Sequence, residues 1–596
     1  MVIRILALFC ALCIFLSACS ASLDPSPSEV KTWLPALSSI SQPTESPGSD
    51  LSWAKKILAG MSLPEKVGQI VLMGIAGREL TGGSCELVQR LQPGGIFFRM
   101  ENAASPQQLR QFTGEIQNCA RTAAGVQPDQ SIPLITALDH EGESVYRFAE
   151  GATIFPDALA QAATGDPEFA YRAARSSGQE LAYSGINMVL GPVADVLFNY
   201  DSRIVALRTF GDDPQKVSQY IAQAVTGYLD AGLIPVLKHF PGHGGVADDS
   251  HNLLPVDQVE RQLLETSYLL PFRRGLAAGA PVVMISHIAF PKISGNDLPA
   301  SRSPEMVRLL RDDLKFDGVV LSDAMNMQGV ISGGINVPQA TLEAVKAGVD
   351  LLLIPSAEDA QASIEHLLSA IESGELPMGR LDQAVLSILQ LKALQGLNAF
   401  PLKETGEPAW SDNASVAIEI GQRAVTVFKG NGSLVPLPGD IRQVLIIGPD
   451  ASWDFYPMLE AALQTQGIRT ERVNYSPPWE GIIKEQDLLQ TLPKTAQKFD
   501  LVLLFTWQSH IQSLTKSKWQ MRLARLLARN DTPVIAVALK SPTDWLDFPR
   551  VDGYIATFGR NQGALEGLID LLTGQASVSG SNPLPGMLQL TTTGDE

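Results

Sequence analysis

The feature that most constrains this chain is a regular alternation of short apolar runs with amphipathic stretches, continued for eight rounds. The runs fall at 69–74, 95–99, 134–139, 187–195, 235–239, 282–287, 318–323 and 349–355. Each is continuously apolar rather than alternating, the signature of a strand buried on both faces. Between them, 106–122, 167–183, 214–230, 304–314 and 338–346 repeat their apolar residues at helical spacing. Four of these stretches open on a capping residue followed by proline: Ser105-Pro106, Asp166-Pro167, Asp213-Pro214 and Ser303-Pro304. The cap accepts free N–H groups, and proline in the first turn gives up none that the helix needs. Buried parallel strands separated by helices can close into a barrel or spread into a doubly wound sheet. Eight units in a row favour closure, so the sequence predicts an α/β fold, a (β/α)8 TIM-like barrel over 51–395.

The alternation pauses at 396–412, where Pro401, Gly406 and Pro408 mark a linker, and resumes with different content. Strand-like runs at 424–428, 443–447, 500–505, 533–539 and 553–557 enclose helical stretches around 454–463, 517–527 and 563–572. That pattern predicts a smaller α/β/α sandwich domain over 413–596. Neither half carries a glycine-rich phosphate loop at a strand–helix turn, so no nucleotide cofactor is expected. The 45 basic and 63 acidic residues leave a net charge of −18, with no basic run. A polyanion would be repelled, which excludes nucleic acid as the main partner.

Residues 1–18 read as a signal peptide. Arg4 precedes an apolar run at 5–16 that is too short to span a bilayer, which takes about 20 residues. The run ends in Leu16-Ser17-Ala18-Cys19, which resembles the lipobox of bacterial lipoproteins, with Cys19 the residue that would carry lipid. An ordinary secretory signal with an incidental Cys19 is the alternative. Of the 31 residues from Ser20 to Asp50, 14 are Ser or Pro, so 19–50 reads as a flexible tether. The expectation is an exported protein held at a membrane by a lipid anchor. Cys85 and Cys119 then remain; they could bridge or stay as separate buried thiols.

Polar residues end most of the barrel strands. Asp139-His140-Glu141, Asp195, Lys238-His239, His287 and Asp323 all sit at predicted carboxyl ends, the end where such barrels keep their chemistry. A buried charge is costly unless paired, so salt bridges sealing the mouth could account for any one of them. For the whole set, which also draws in five of the seven histidines, an active site is the better reading. Its densest part is Lys238-His239-Phe240-Pro241-Gly242-His243-Gly244, followed by Asp249-Ser250-His251. His239, His243, Asp249 and His251 could ligate a metal, but Pro241 and Gly242 break the helix that an HxxxH site needs. Alternatively Asp249 and His251 form an acid–base dyad, the carboxylate fixing the imidazole and supporting its cation, with Asp323 as nucleophile.

Residues 238–251 and the stretch Val320 to Met327 together resemble glycoside hydrolase family 3, in its β-N-acetylglucosaminidase subgroup. The resemblance implies that Asp323 is the nucleophile and His251, assisted by Asp249, the acid/base. It also implies that Asp139, Arg147, Arg208, Lys238 and His239 contact the sugar. The implied activity is retaining removal of terminal β-linked N-acetylglucosamine from cell-wall or chitin-type oligosaccharides, with no cofactor and no metal. A β-glucosidase or β-xylosidase, a phosphorylase of the same family, and a non-catalytic carbohydrate-binding lipoprotein are the alternatives. Two departures stand out. Glu143-Ser144 replaces the usual Gly-Arg after Asp139-His140-Glu141-Gly142, and Gly245-Val246 opens the spacer where Asp-Thr is common. Both are expected to alter the rim of the site. The C-terminal domain offers no acid/base candidate and reads as a structural cap.

Overall fold

The computed structural model describes residues 47–122, 131–398, 402, 405–450, 455–476, 485–514, 518–547, 550–575 and 580–592. Cys19, the 1–18 segment, most of the 19–50 tether and part of the 396–412 linker lie outside them. A helix, Pro47–Gly60, begins within the last residues read as tether. Among the described residues, no helix is long and apolar enough to cross a membrane.

The eight apolar runs become parallel strands: β1 Val71–Gly74, β2 Gly95–Phe98, β3 Ile135–Leu138, β4 Met188–Val189, β5 Ile234–Phe240, β6 Val282–Ile285, β7 Val319–Ser322 and β8 Leu352–Ile354. Neighbours pair in chain order, and β1 also pairs with β8. The ring closes where Leu321 bridges Leu351 and the Ser322 N–H donates to the Leu351 carbonyl at 2.9 Å. Every strand residue is buried, which is why the runs are apolar throughout. Removing each such Val, Leu or Ile from water contributes roughly 1.5–3 kcal/mol. β4 is far shorter than the predicted 187–195, because Pro192 has no N–H for the ladder. Beyond Val189 the contacts continue only singly: the Gly191 carbonyl accepts the Val236 N–H at 2.8 Å, and Val193 bridges Lys238.

The caps act as expected at three starts: Ser105 accepts from the Gln108 N–H, Asp166 from that of Glu168, and Asp213 from those of Gln215 and Lys216. At Ser303 the hydroxyl instead meets Glu305, 3.1 Å away. Cys85 and Cys119 form a disulfide that ties helix Gly82–Leu91 to helix Pro106–Arg121.

The second sheet has six strands: β9 Thr426–Lys429, β10 Gln443–Pro449, β11 Arg469–Tyr475, β12 Leu501–Thr506, β13 Val534–Ala538 and β14 Gly553–Ala556. Their order is β11-β10-β12-β13-β14-β9, parallel except for β9 against β14. Val444 and Ile446 face one apolar layer while Leu445 and Ile447 face the other, giving the expected sandwich. The second of those layers also contains Leu197, Val205 and Leu207 of the barrel. β11 and helix Glu485–Ala496 were not anticipated. The sequence Arg469-Thr-Glu-Arg-Val-Asn-Tyr475 is that of an edge strand, mostly exposed and paired only with β10, and it lacks an apolar run.

Candidate active site

Asp323 stands immediately after β7, its N–H donating to the Ile285 carbonyl at 3.1 Å and its Oδ1 accepting from the Ala324 N–H at 2.7 Å. Burial pushes its carboxyl up, but His239, His287, the Ala324 N–H and Lys238 outweigh burial and hold it below the ordinary carboxylate range. An ionised carboxylate at a strand end, aimed into a cavity, is a competent nucleophile. His287 stands beside it, its Nε2 3.1 Å from the Ala324 carbonyl and its Nδ1 2.7 Å from Ser301 Oγ. A carbonyl only accepts, so Nε2 carries the proton. Burial lowers the affinity of the ring for a second one. His287 thus braces the β7 end through both ring nitrogens.

The end of β5 is organised around Asp195. That buried carboxylate meets His239 Nδ1 at 2.7 Å through Oδ2, while Oδ1 accepts the backbone N–H groups of His239 (3.2 Å) and His243 (2.7 Å). Gly244 completes the turn: a Cβ there would lie 1.7 Å from the Val196 carbonyl, so no other residue fits without moving the chain. Asp195 therefore shapes the 238–244 loop from behind. His243 turns to Ser250 Oγ at 3.2 Å and is held neutral by burial, its pKa lowered to about 4.

On the opposite wall the side chains after β3 alternate. Asp139 accepts from Lys238 Nζ at 2.7 Å and stands 4.0 Å from Arg147. His140 points away and packs against Tyr146 and Phe148. Glu141 takes the Arg208 fork at 2.7 and 2.8 Å and Lys238 Nζ at 2.6 Å. Burial alone would raise the Glu141 pKa, but those two cations push it far below the carboxylate range. The two carboxylates and two cations form one fixed lattice of donors and acceptors. Glu141 was not assigned a role of its own; its alternation with Asp139 along the chain end is the signal that could have given it one.

Asp139, Arg147, Arg208, Lys238, His239, His251 and Asp323 all line one cavity of about 510 Å³, with Phe97, Met100 and Met327 on its apolar side. Asp249 lies behind His251. Its Oδ1 meets His251 Nδ1 at 2.7 Å and the His251 N–H at 2.9 Å, while Oδ2 accepts from Asn252 at 3.0 Å. The Nδ1 proton is thereby directed to Asp249, leaving Nε2 for chemistry. The imidazole is 62% exposed, as befits a group that must meet a substrate oxygen. Among the described residues, no three His, Cys, Asp or Glu side chains converge as metal ligands. His239, His243 and His251 each engage one ring nitrogen, with Asp195, Ser250 and Asp249 respectively.

The glycosyl hydrolase family 3 N-terminal domain model matches residues 62–391, and the family's C-terminal domain model matches 425–589. The chain belongs to glycoside hydrolase family 3. Along its length it is similar to a β-N-acetylglucosaminidase/β-glucosidase of Cellulomonas fimi, 29% identical over 90% of this chain and 95% of that one. It is also 31% identical to the β-hexosaminidase LpqI of Mycobacterium tuberculosis, over 65% of this chain and 97% of the relative. A solved family 3 β-N-acetylglucosaminidase from Paenibacillus sp. str. FPU-7 superposes with a TM-score of 0.77 at 28% identity, covering 88% of this chain and 99% of that one. The family assignment makes the protein a glycoside hydrolase, in agreement with the barrel-mouth site.

Proposed function

We propose that this family 3 enzyme is a retaining exo-hydrolase that removes terminal β-linked N-acetylglucosamine, acting outside the cytoplasm on cell-wall or chitin-type oligosaccharides. The observation that carries the reading is an ionised Asp323 on the same cavity as His251, whose Nδ1 is engaged by Asp249. The names of the relatives support the choice of sugar. In the first step an Asp323 oxygen bonds to the anomeric carbon as the glycosidic bond breaks, and the His251 Nε2 proton passes to the leaving oxygen. In the second, neutral Nε2 takes a proton from water, the water oxygen bonds to the anomeric carbon, and the Asp323 ester is released. Asp249 supports the imidazolium present at the start and end of the cycle. Asp139, Glu141, Lys238 and Arg208 hold the hydroxyls of a single terminal residue, which favours exo cleavage.

The Cys85–Cys119 disulfide supports an oxidising, exported location, and Cys19 would anchor the chain through lipid. A panel of nitrophenyl glycosides with and without phosphate, followed by proton NMR of the first-formed sugar, tests the reading. N-acetylglucosaminide turnover with β product formed first is the expected result. Preference for glucosides or xylosides, or a sugar phosphate as product, would replace it with the corresponding alternative.

A further inference from the structure

Glu143 and Ser144 do not reach the cavity as expected of rim residues. They form the tip of a tight turn in which the Glu141 N–H donates to the Val145 carbonyl (3.0 Å) and the Val145 N–H to the Gly142 carbonyl (3.1 Å). The base of the turn carries the Glu141 carboxylate, and Arg147 follows two residues beyond it on the cavity wall. The tip points into the C-terminal domain. Glu143 pairs with Lys540 Nζ at 3.1 Å, both side chains only 9% exposed, and accepts the Arg560 N–H at 3.1 and 3.3 Å. The Ser144 N–H and hydroxyl both go to Asp157, and Lys540 Nζ lies 3.4 Å from the same hydroxyl. Lys540 and Arg560 each rest on the Trp507 ring.

A second contact holds the loop that carries Arg208. His510 of the C-terminal domain meets Asp201 Oδ1 at 2.9 Å through Nε2 and Asp547 Oδ1 at 3.1 Å through Nδ1. Carboxylates on both nitrogens are satisfied together only by the imidazolium. At the far end of the loop Asp212 accepts the Gly586 N–H at 2.9 Å, and Leu197, Val205 and Leu207 lie within a C-terminal-domain apolar layer. Arg208 lies between these anchors, its Nη1 donating to the Ile204 carbonyl at 3.1 Å.

We infer that the C-terminal domain positions the sugar-facing arginines of the barrel, with Lys540 acting through the Glu143 turn on Arg147 and His510 acting through the Asp201 loop on Arg208. The inference rests on the glycosidase reading and goes beyond a capping role. Without Lys540, the buried Glu143 loses its nearest cation and keeps the Arg560 N–H and, at 3.9 Å, the Arg560 guanidinium; its repulsion of Asp157 is then less balanced, and the turn shifts to relieve it. The cavity wall moves with it.

The test is steady-state kinetics on a nitrophenyl β-N-acetylglucosaminide at 25 °C, with thermal unfolding measured alongside. Lys540→Met is expected to raise KM about tenfold with kcat within about twofold. Lys540→Arg should restore KM, and Lys540→Met should add nothing further in an Arg147→Ala background. His510→Gln should behave likewise against Arg208→Ala. If Lys540→Met fails to fold, Gly559→Ala gives the same readout with every charge kept, since its Cβ would lie 2.6 Å from Glu143 Oε2. A lowered unfolding temperature with unchanged KM, or losses that multiply with the arginine variants, would overturn the positioning role while leaving the glycosidase reading intact. An unmodified enzyme that turns over no glycoside would overturn the glycosidase reading itself, and this inference with it.

Discussion

Replacing Lys392 with methionine should stabilise the barrel at low pH and destabilise it at high pH, with the sign changing between them. Lys392 lies on helix Met378–Leu394 and is fully buried. Its ammonium meets the Gln69 Oε1 at 2.9 Å, and Gln69 spends its own amide on the Gln92 and Pro93 carbonyls. Burial lowers the Lys392 pKa from 10.5 to about 7. Between those values the unfolded chain binds a proton that the folded chain refuses, so stability rises with pH across that window. At 1.36 kcal/mol per pKa unit the full penalty is about 5 kcal/mol, present below pH 7 and gone above 10.5. Methionine removes it but strands the Gln69 oxygen, which costs about 1–3 kcal/mol. The net expectation is a gain of roughly 2–4 kcal/mol at pH 6 and a loss of roughly 1–3 kcal/mol near pH 10.5. With about 2.1 cal/mol/K per residue over a barrel of this size, 3 kcal/mol corresponds to roughly 4 °C in unfolding temperature. Calorimetric scans of both proteins at pH 6, 8 and 10.5 would measure it. A variant less stable than its parent by the same amount at every pH would refute the account of Lys392 as a strained, nearly neutral amine.

Asp323→Asn should abolish turnover with the unfolding temperature unchanged, and a fluorinated N-acetylglucosamine analogue that traps the intermediate should label Asp323 alone by peptide mass spectrometry. His251→Ala should slow substrates with poor leaving groups by about 10²- to 10⁴-fold while sparing activated aryl glycosides, since these need little proton donation. Asp249→Ala should show the same pattern more mildly, and EDTA should change neither; equal losses on both substrate types would remove the acid/base assignment. Cys19→Ser should move the protein from the membrane fraction to the soluble one.

Barrel and site were legible for the same reason: a parallel strand buried on both faces must be apolar until it ends, so the first charged residues after each run announce the carboxyl rim. Asp323, Lys238 and His239 stand where that logic puts them, and the Asp249–His251 contact is local enough to be read from a two-residue spacing. Apart from the end of β4, what escaped depended on contacts distant in sequence. β4 stops at Val189 because Pro192 cannot continue a ladder, although the run reads on to 195. β11 escaped because an edge strand needs only one partner and no apolar face. Asp139, His140 and Glu141 look equivalent as a string, yet alternation sends the first and third to Lys238 and the second to Tyr146 and Phe148. Most instructive is Glu143. Four residues past Asp139, it reads as part of the rim, and nothing local says that its partner is Lys540, nearly 400 residues away. A buried Glu143 needs cations, and both that reach it, Lys540 at 3.1 Å and Arg560 at 3.9 Å, come from the other domain, so the departure at 143 has physical sense only together with them.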